Sequence, residues 1–126
     1  MRNFSFNFQN KKIKISVKKV YGFQKGIGLM FSSRKKAKAL LFEFKKSVKM
    51  SFTSLFVFFP FLMIWLNETN EVIDIKKIPP FVWSVSSRKP FKRVLEIPFN
   101  SDYEEIIKKF FKHSSWKTFI NNKIYI

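Results

Sequence analysis

Cysteine is absent from the 126 residues, so a disulfide framework, a thiolate nucleophile and a thiolate metal site are all excluded. That absence fits a reducing compartment and points to the cytoplasm. Histidine occurs once, as His113, which excludes by count a Ser-His-Asp relay, a His-rich metal site and the two-histidine helix of zinc hydrolases. Glycine is confined to Gly22, Gly26 and Gly28 within VYGFQKGIGLM. That segment reads as a turn, and it lacks both the Lys-Ser/Thr ending of a Walker loop and the dinucleotide fingerprint. The inventory leans against an enzyme and implies no catalytic residue, cofactor or metal. One couple stays open: Glu43 and Glu96 each sit in a strand pattern, and a pair on adjacent strands is the arrangement acid/base chemistry uses.

Carboxylates are scarce against a large cationic excess, 8 Asp and Glu to 25 Lys and Arg, for a formal charge of +17. Residues 1 to 50 hold 14 of the cations and a single acid, Glu43. A field of that strength attracts nucleic acid or anionic lipid. The candidate polyanion-binding residues are Lys11, Lys12, Lys14, Lys18, Lys19 and the cluster Arg34, Lys35, Lys36 and Lys38. The competing reading is a solvated lysine surface with no partner at all. Disorder is excluded by the other half of the composition, 46% hydrophobic residues including 18 Phe, which is enough to bury a core. The length predicts one domain over 1–126.

The one membrane-like stretch is the uncharged run Met50 to Leu66, whose second part reads LFVFFPFLMIWL. A spanning helix needs about 20 apolar residues. This run is shorter and carries Pro60 at its middle, so it predicts buried strands rather than an integral membrane helix. Met1 to Asn10 alternates and lacks a secretory pattern, so export is not expected.

Period-two alternation marks Phe4, Phe6 and Phe8, then Ile13, Ile15 and Val17, as two strands of a hairpin joined at Gln9-Asn10. Further strands are predicted at 39–44, 48–52, 55–59, 61–66, 72–75, 81–85 and 93–97, with a turn over 67–71. SSRKKAKA reads as a basic loop or short helix. Ser101 and Glu104 have capping-box spacing, and Tyr103, Ile106, Ile107, Phe110 and Phe111 repeat at helical spacing, predicting an amphipathic helix over 101–113. Residues 114–126 are read as a tail or small hairpin around Asn121-Asn122. The fold class is therefore mainly β (α+β): a compact antiparallel sandwich or partly closed barrel with the helix packed on it.

Gly28-Leu29-Met30-Phe31, Leu40-Leu41-Phe42, SFTSLFVFFPFLMIWLN over 51–67, the strand Glu71 to Ile75, and Val94-Leu95-Glu96-Ile97-Pro98 occur in this order. Together they resemble domain-of-unknown-function family 192, the uncharacterised ACR family, in a divergent archaeal-type form over roughly residues 13–99. The resemblance implies a sandwich-like or barrel-like β fold and carries no established reaction. Family-motif positions are Gly28, Leu29, Met30, Phe59 and Pro60. Archaeal-type members resemble Ser-Ile-His-Thr-Phe-Phe-Met-Arg-Phe-Pro-Ile-Asp here. Thr53 stands at that histidine, Phe58 at the arginine and Leu62 at the aspartate, so a polar cluster those positions imply is lost.

Three readings follow: a non-enzymatic binding or interaction module; an RNA- or DNA-binding protein using the basic N-terminal half; and peripheral association with anionic membranes. Oligomeric state is left open.

Overall fold

In the computed structural model, which describes residues 1–20, 29 and 32–111, the N-terminal alternation folds as expected. β1 (Arg2–Phe8) and β2 (Lys11–Val20) pair antiparallel, with Phe4 opposite Ile15 and Phe6 opposite Ile13. Gln9 and Asn10 join them at φ 50° and 66°. Two consecutive left-handed residues make the type I′ turn whose twist matches a two-residue hairpin, and asparagine tolerates that region.

Four more strands complete a six-stranded sheet: β3 (Leu40–Val48), β4 (Phe61–Leu66), β5 (Val72–Ile78) and β6 (Phe91–Pro98), in the order β1-β2-β3-β6-β4-β5. All neighbours are antiparallel except β2 and β3, where Lys18–Val20 run parallel to Leu40–Phe42. A parallel pair needs a crossover, and the chain between Val20 and Leu40 supplies its length. The edge strands approach one another at Asn7 and Glu71, where the Asn7 N–H donates to the Asn70 carbonyl at 2.8 Å. The sheet thus curls into a half-barrel.

Side chains divide between its two faces. Phe6, Ile15, Leu41, Leu62, Ile64, Leu95 and Ile97 fill the interior together with Tyr103 and Ile107. On the outside, Phe42, Phe61, Met63, Trp65 and Val94 pack beneath Val57, Phe59 and Val85. Successive residues of β4 enter opposite cores, so all six are buried. This explains the unbroken apolar run, which a strand buried on both faces requires. No helix among the described residues is long and apolar enough to cross a membrane.

Three predicted strands are replaced by irregular cover. The segments expected at 48–52, 55–59 and 81–85 contribute the end of β3 and the single bridge Phe52–Val85, and otherwise lie over the outer core as loops. Conversely, β5 extends past the expected Ile75 to Ile78. The predicted turn over 67–71 is present, with the Asn67 N–H donating to the Glu71 carbonyl at 3.0 Å and Asn70 at φ 63°.

The helix begins as a 3-10 turn over Ser101–Tyr103 and continues as α1 (Glu104–Lys108). Its cap is Asn100, one residue before the expected Ser101: the Asn100 side chain accepts from the Asp102 N–H at 3.1 Å. Helical spacing persists beyond α1 in a tighter form, the N–H groups of Lys109, Phe110 and Phe111 bonding to carbonyls three residues back. Phe110 therefore still reaches Phe6 and Phe8, at ring separations of 6.1 and 4.9 Å. The Gly22 to Gly28 turn, His113 and the C-terminal hairpin lie outside the described residues.

The Tyr103 hydroxyl accepts a hydrogen bond from the Ala39 N–H at 2.8 Å inside the barrel. Tyr103→Phe strands that donor and is expected to destabilise by about 1–3 kcal/mol, measured as a lower urea midpoint with unchanged slope. An unchanged midpoint would show the bond to be dispensable.

Candidate functional site

Alternation sets the first zone. Ile13, Ile15 and Val17 of β2 point inward, so Lys12, Lys14, Ser16 and Lys18 point outward and are exposed. Opposite them β1 offers Asn3, Ser5 and Asn7. From Lys12 to Lys18 the row runs roughly 20 Å at strand rise. At its start, Lys11 and Lys12 share a recess of about 250 Å³ with Lys109, from just beyond α1. At its end, the Lys18 N–H donates to the Ala39 carbonyl at 2.8 Å, joining the row to the 32–39 loop.

That loop holds a single helical turn, with the Ala37 N–H bonded to the Ser33 carbonyl at 2.9 Å. Arg34 Nε donates to the Phe99 carbonyl at 2.6 Å, and Asn100 Nδ2 donates to the Arg34 and Ala37 carbonyls at 2.8 and 3.0 Å. Lys35 and Lys36 are exposed, and Lys38 pairs with Asp102 at 3.2 Å across an open surface. Of the nine expected cations, eight are exposed, and the one backbone bond from Lys18 to Ala39 links the strand to the loop. Lys19 is the exception. Its Nζ lies 2.5 Å from Glu43, whose other oxygen is 2.7 Å from Arg93. The hydrogen bond from Lys19, then that from Arg93, holds the Glu43 carboxyl below its ordinary value despite some burial.

Beside the loop opens a cavity of about 410 Å³, walled by Arg34 and Lys35 on one side and by Phe99 to Ser101, Glu104 and Ile107 on the other. Behind Phe99 lies Lys77, only 1% exposed, its Nζ 5.1 Å from the ring centroid. Burial, then the charge of Arg34, pushes the Lys77 amine down to about 8. Sequence reasoning missed this residue because the predicted strand stopped at Ile75. The signal was present: Lys77 stands two residues beyond Ile75 and therefore shares its inward face.

Glu43 and Glu96 are not an acid/base couple. Register places Glu43 opposite Arg93 and Glu96 opposite Leu40 and Met63. Glu43 shares the interior side of Leu41, whereas Glu96 points into the outer core, so the sheet separates them. Glu96 is buried, and desolvation pushes its carboxyl up to about 8 against a weaker opposing hydrogen bond from the Leu29 backbone. Its Oε1 has no hydrogen-bond partner among the described residues. Two ordered motifs of the sequence therefore touch, Gly-Leu-Met through Leu29 and Val-Leu-Glu-Ile through Glu96.

The sequence profile of the uncharacterised ACR family, domain of unknown function 192, matches residues 6–106. The chain belongs to that family. No curated protein matches it. Among solved structures it resembles a protein from Sinorhizobium meliloti 1021 described provisionally as a transcription regulator, with TM-score 0.65, 20% identity and 81% coverage of each chain. A protein of unknown function from Novosphingobium aromaticivorans DSM 12444 is similar at TM-score 0.65 and 15% identity, over 81% of this chain and 74% of that one. These likenesses agree on the fold.

Within this member of the ACR family, the motif positions serve packing. Phe59 is buried in the outer core, and the Pro60 carbonyl accepts the Phe99 N–H at 3.2 Å as β4 begins; Gly28 and Met30 lie outside the described residues. The three departing positions do not converge. Leu62 is inside the barrel, Thr53 donates to the Val82 carbonyl at 3.1 Å, and Phe58 is exposed.

The two buried ionisable groups set opposite limbs of a pH profile. Glu96 titrates near 8 when folded and near 4.5 when free, so its contribution is complete below pH 4.5 and is lost as pH rises to 8. Lys77, near 8 folded and 10.5 free, contributes fully above 10.5 and loses that as pH falls through 8. Each limb is steep by up to about 1.4 kcal/mol per pH unit. Urea unfolding across pH is expected to show a minimum near 8, with Glu96→Gln flattening the acid-side limb and Lys77→Met the alkaline one. Identical slopes in wild type and variants would disprove these assignments.

Proposed function

We propose that this ACR-family chain is a non-enzymatic binding module whose partner is a polyanion, met by the outer face of β2 and the 32–39 loop. The observation that carries this reading is the set of exposed cations on one strand and on the loop bonded to it: Lys12, Lys14 and Lys18 on the outer face of β2, Arg34, Lys35 and Lys36 on the 32–39 loop, and Lys11, Lys12 and Lys109 around the recess at the strand's start. No Asp or Glu precedes Glu43 in the sequence, so β1, β2 and that loop carry only positive formal charge, offset locally by Glu43 at Lys19 and Asp102 at Lys38.

The carboxylates support a binding role over a catalytic one, because six of the eight are held in ion pairs or enclosed in a core. Glu43 ties β2 to β6, Asp74 holds Arg88, Asp102 pairs with Lys38, and Glu104 and Glu105 pair with Lys108. Glu96 is enclosed in the outer core.

Nucleic acid is the polyanion that fits best. Alternate lysines on a strand are about 6.6 Å apart, and their row is long enough to meet several successive phosphates. The departures at Thr53, Phe58 and Leu62 support reading the chain as a divergent member, the kept Phe59-Pro60 supports its archaeal-type affinity, and its lack of cysteine supports a cytoplasmic setting.

Fluorescence anisotropy with labelled single-stranded RNA and duplex DNA tests the reading. Binding is expected to weaken steeply with salt. The combined Lys12→Ala, Lys14→Ala and Lys18→Ala variant is expected to reduce the log–log salt slope by about 0.7–0.9 for each phosphate it no longer neutralises. Absence of salt-sensitive binding to either probe at low ionic strength would overturn it.

A further inference from the structure

The two segments that cover the outer core, residues 49–60 and 79–90, alternate like strands but carry aromatic rings on both sides. Inward, Val57, Phe59 and Val85 are buried. Outward, Phe56, Phe58, Phe81 and Trp83 are exposed, from 46% at Phe56 to 79% at Trp83. A single exposed ring needs no explanation, whereas four on two adjoining loops mark an interaction surface.

The backbone holds these rings out. Buried Ser54 is the fastener: its carbonyl accepts from the Phe81 N–H at 2.8 Å, its N–H donates to the Val82 carbonyl at 2.9 Å, and its hydroxyl bridges the Pro79 carbonyl and the Val82 N–H, both at 2.8 Å. Phe81 stands at φ 65°, a region a bulky L-residue enters only under constraint. That conformation wins no burial for its ring, which meets Phe58 edge-on at 5.7 Å.

Charge completes the picture. No acid occurs from Phe44 to Asn67 or from Ile75 to Leu95, while Lys45, Lys46, Lys49, Lys76, Arg88 and Lys89 lie within those stretches. Arg88 is anchored by its N–H to Asp74 at 3.0 Å, yet its side chain is largely exposed.

We propose that these loops dock the protein on a bilayer containing anionic lipid, with Phe56, Phe58, Phe81 and Trp83 entering the headgroup boundary and the flanking cations facing lipid phosphates. Aromatic rings held on acid-free segments that carry Lys and Arg match the chemistry of that interface. The edge-on contact of Phe58 and Phe81 and the projection of the rings from loop tips favour insertion over base stacking. This surface uses none of the β2 lysines, so it stands apart from the polyanion reading above.

Co-sedimentation of the full chain with phosphatidylcholine vesicles, with and without phosphatidylserine, tests it. Binding is expected only with phosphatidylserine, and is expected to weaken about tenfold in Phe81→Asn/Trp83→Ser and again in Arg88→Glu/Lys89→Glu. Brominated lipid is expected to quench tryptophan emission in the wild type and less so in Trp83→Phe, a readout that does not depend on the double variants. Wild-type protein remaining in the supernatant, or Phe81→Asn/Trp83→Ser binding unchanged, would overturn the proposal. So would a selective loss in that variant of RNA binding or of a dimer seen by size exclusion, with vesicle binding retained.

Discussion

Burial of β4 on both faces imposes a cover on each side of the sheet, and the rest of the molecule is arranged to supply them. Phe61, Met63 and Trp65 demand an apolar layer outside; Leu62, Ile64 and Leu66 demand one inside. At roughly 25 cal/mol per Å² of apolar surface, leaving either row wet would remove several kcal/mol from a domain whose total stability is of the order of 5–15 kcal/mol. The inner demand is met by curling the sheet until β1 approaches β5 and by seating Tyr103, Ile107 and Phe110 in the opening. The outer demand is met without a second sheet, by two loops and Leu29.

That division explains why the two buried ionisable groups behave so differently from the surface charges. Lys77 belongs to the inner layer and Glu96 to the outer, so neither can neutralise the other through the sheet. Each is moved toward its neutral form by desolvation, the physical route open to a charge that burial strips of its water. The contacts beside them, the Phe99 ring face at Lys77 and a backbone donor from Leu29 at Glu96, favour the charged forms and are outweighed by that desolvation. Glu43, by contrast, sits between two cations at the sheet surface and stays readily ionised. Three ionisable side chains that look alike in a strand pattern thus differ in fate through burial and partners: Lys77 and Glu96 are enclosed, whereas Glu43 is half-buried between Lys19 and Arg93.

Legibility in the sequence followed the same logic. The hairpin of β1 and β2, the double-sided β4, the turn at Asn67 and the helical stripe could all be read because local period and burial coincide there. The cover loops could not. Leu55 to Phe59 and Phe81 to Val85 have strand composition and strand alternation, yet Pro60 and Pro90 stand immediately before β4 and β6, and Pro79-Pro80 precedes the second loop. Such prolines withhold donors and restrict the preceding residue, leaving the segments extended and largely unladdered. Lys12, Lys14 and Lys18 could be placed on one face because alternate residues of a strand share a face by geometry alone. The partner of Lys19, Glu43, could not be read, because it is brought near by a parallel pairing that no local pattern announces.

The exposed rings are best understood from that same failure of the cover to become a sheet. A paired strand would have placed its outward residues against solvent with a full ladder behind them, and selection for polar side chains there would follow from ordinary solubility. These loops have instead a few backbone bonds converging on Ser54. Their inward side chains Val57, Phe59 and Val85 are fixed by the outer core, whereas Phe56, Phe58, Phe81 and Trp83 keep from 46% to 79% of their surface exposed. Folding therefore accounts for the first three more fully than for the last four. An apolar surface that stability does not require, held on a constrained backbone and free of acidic residues along both segments, is explained by something outside the chain that is itself apolar beneath an anionic skin.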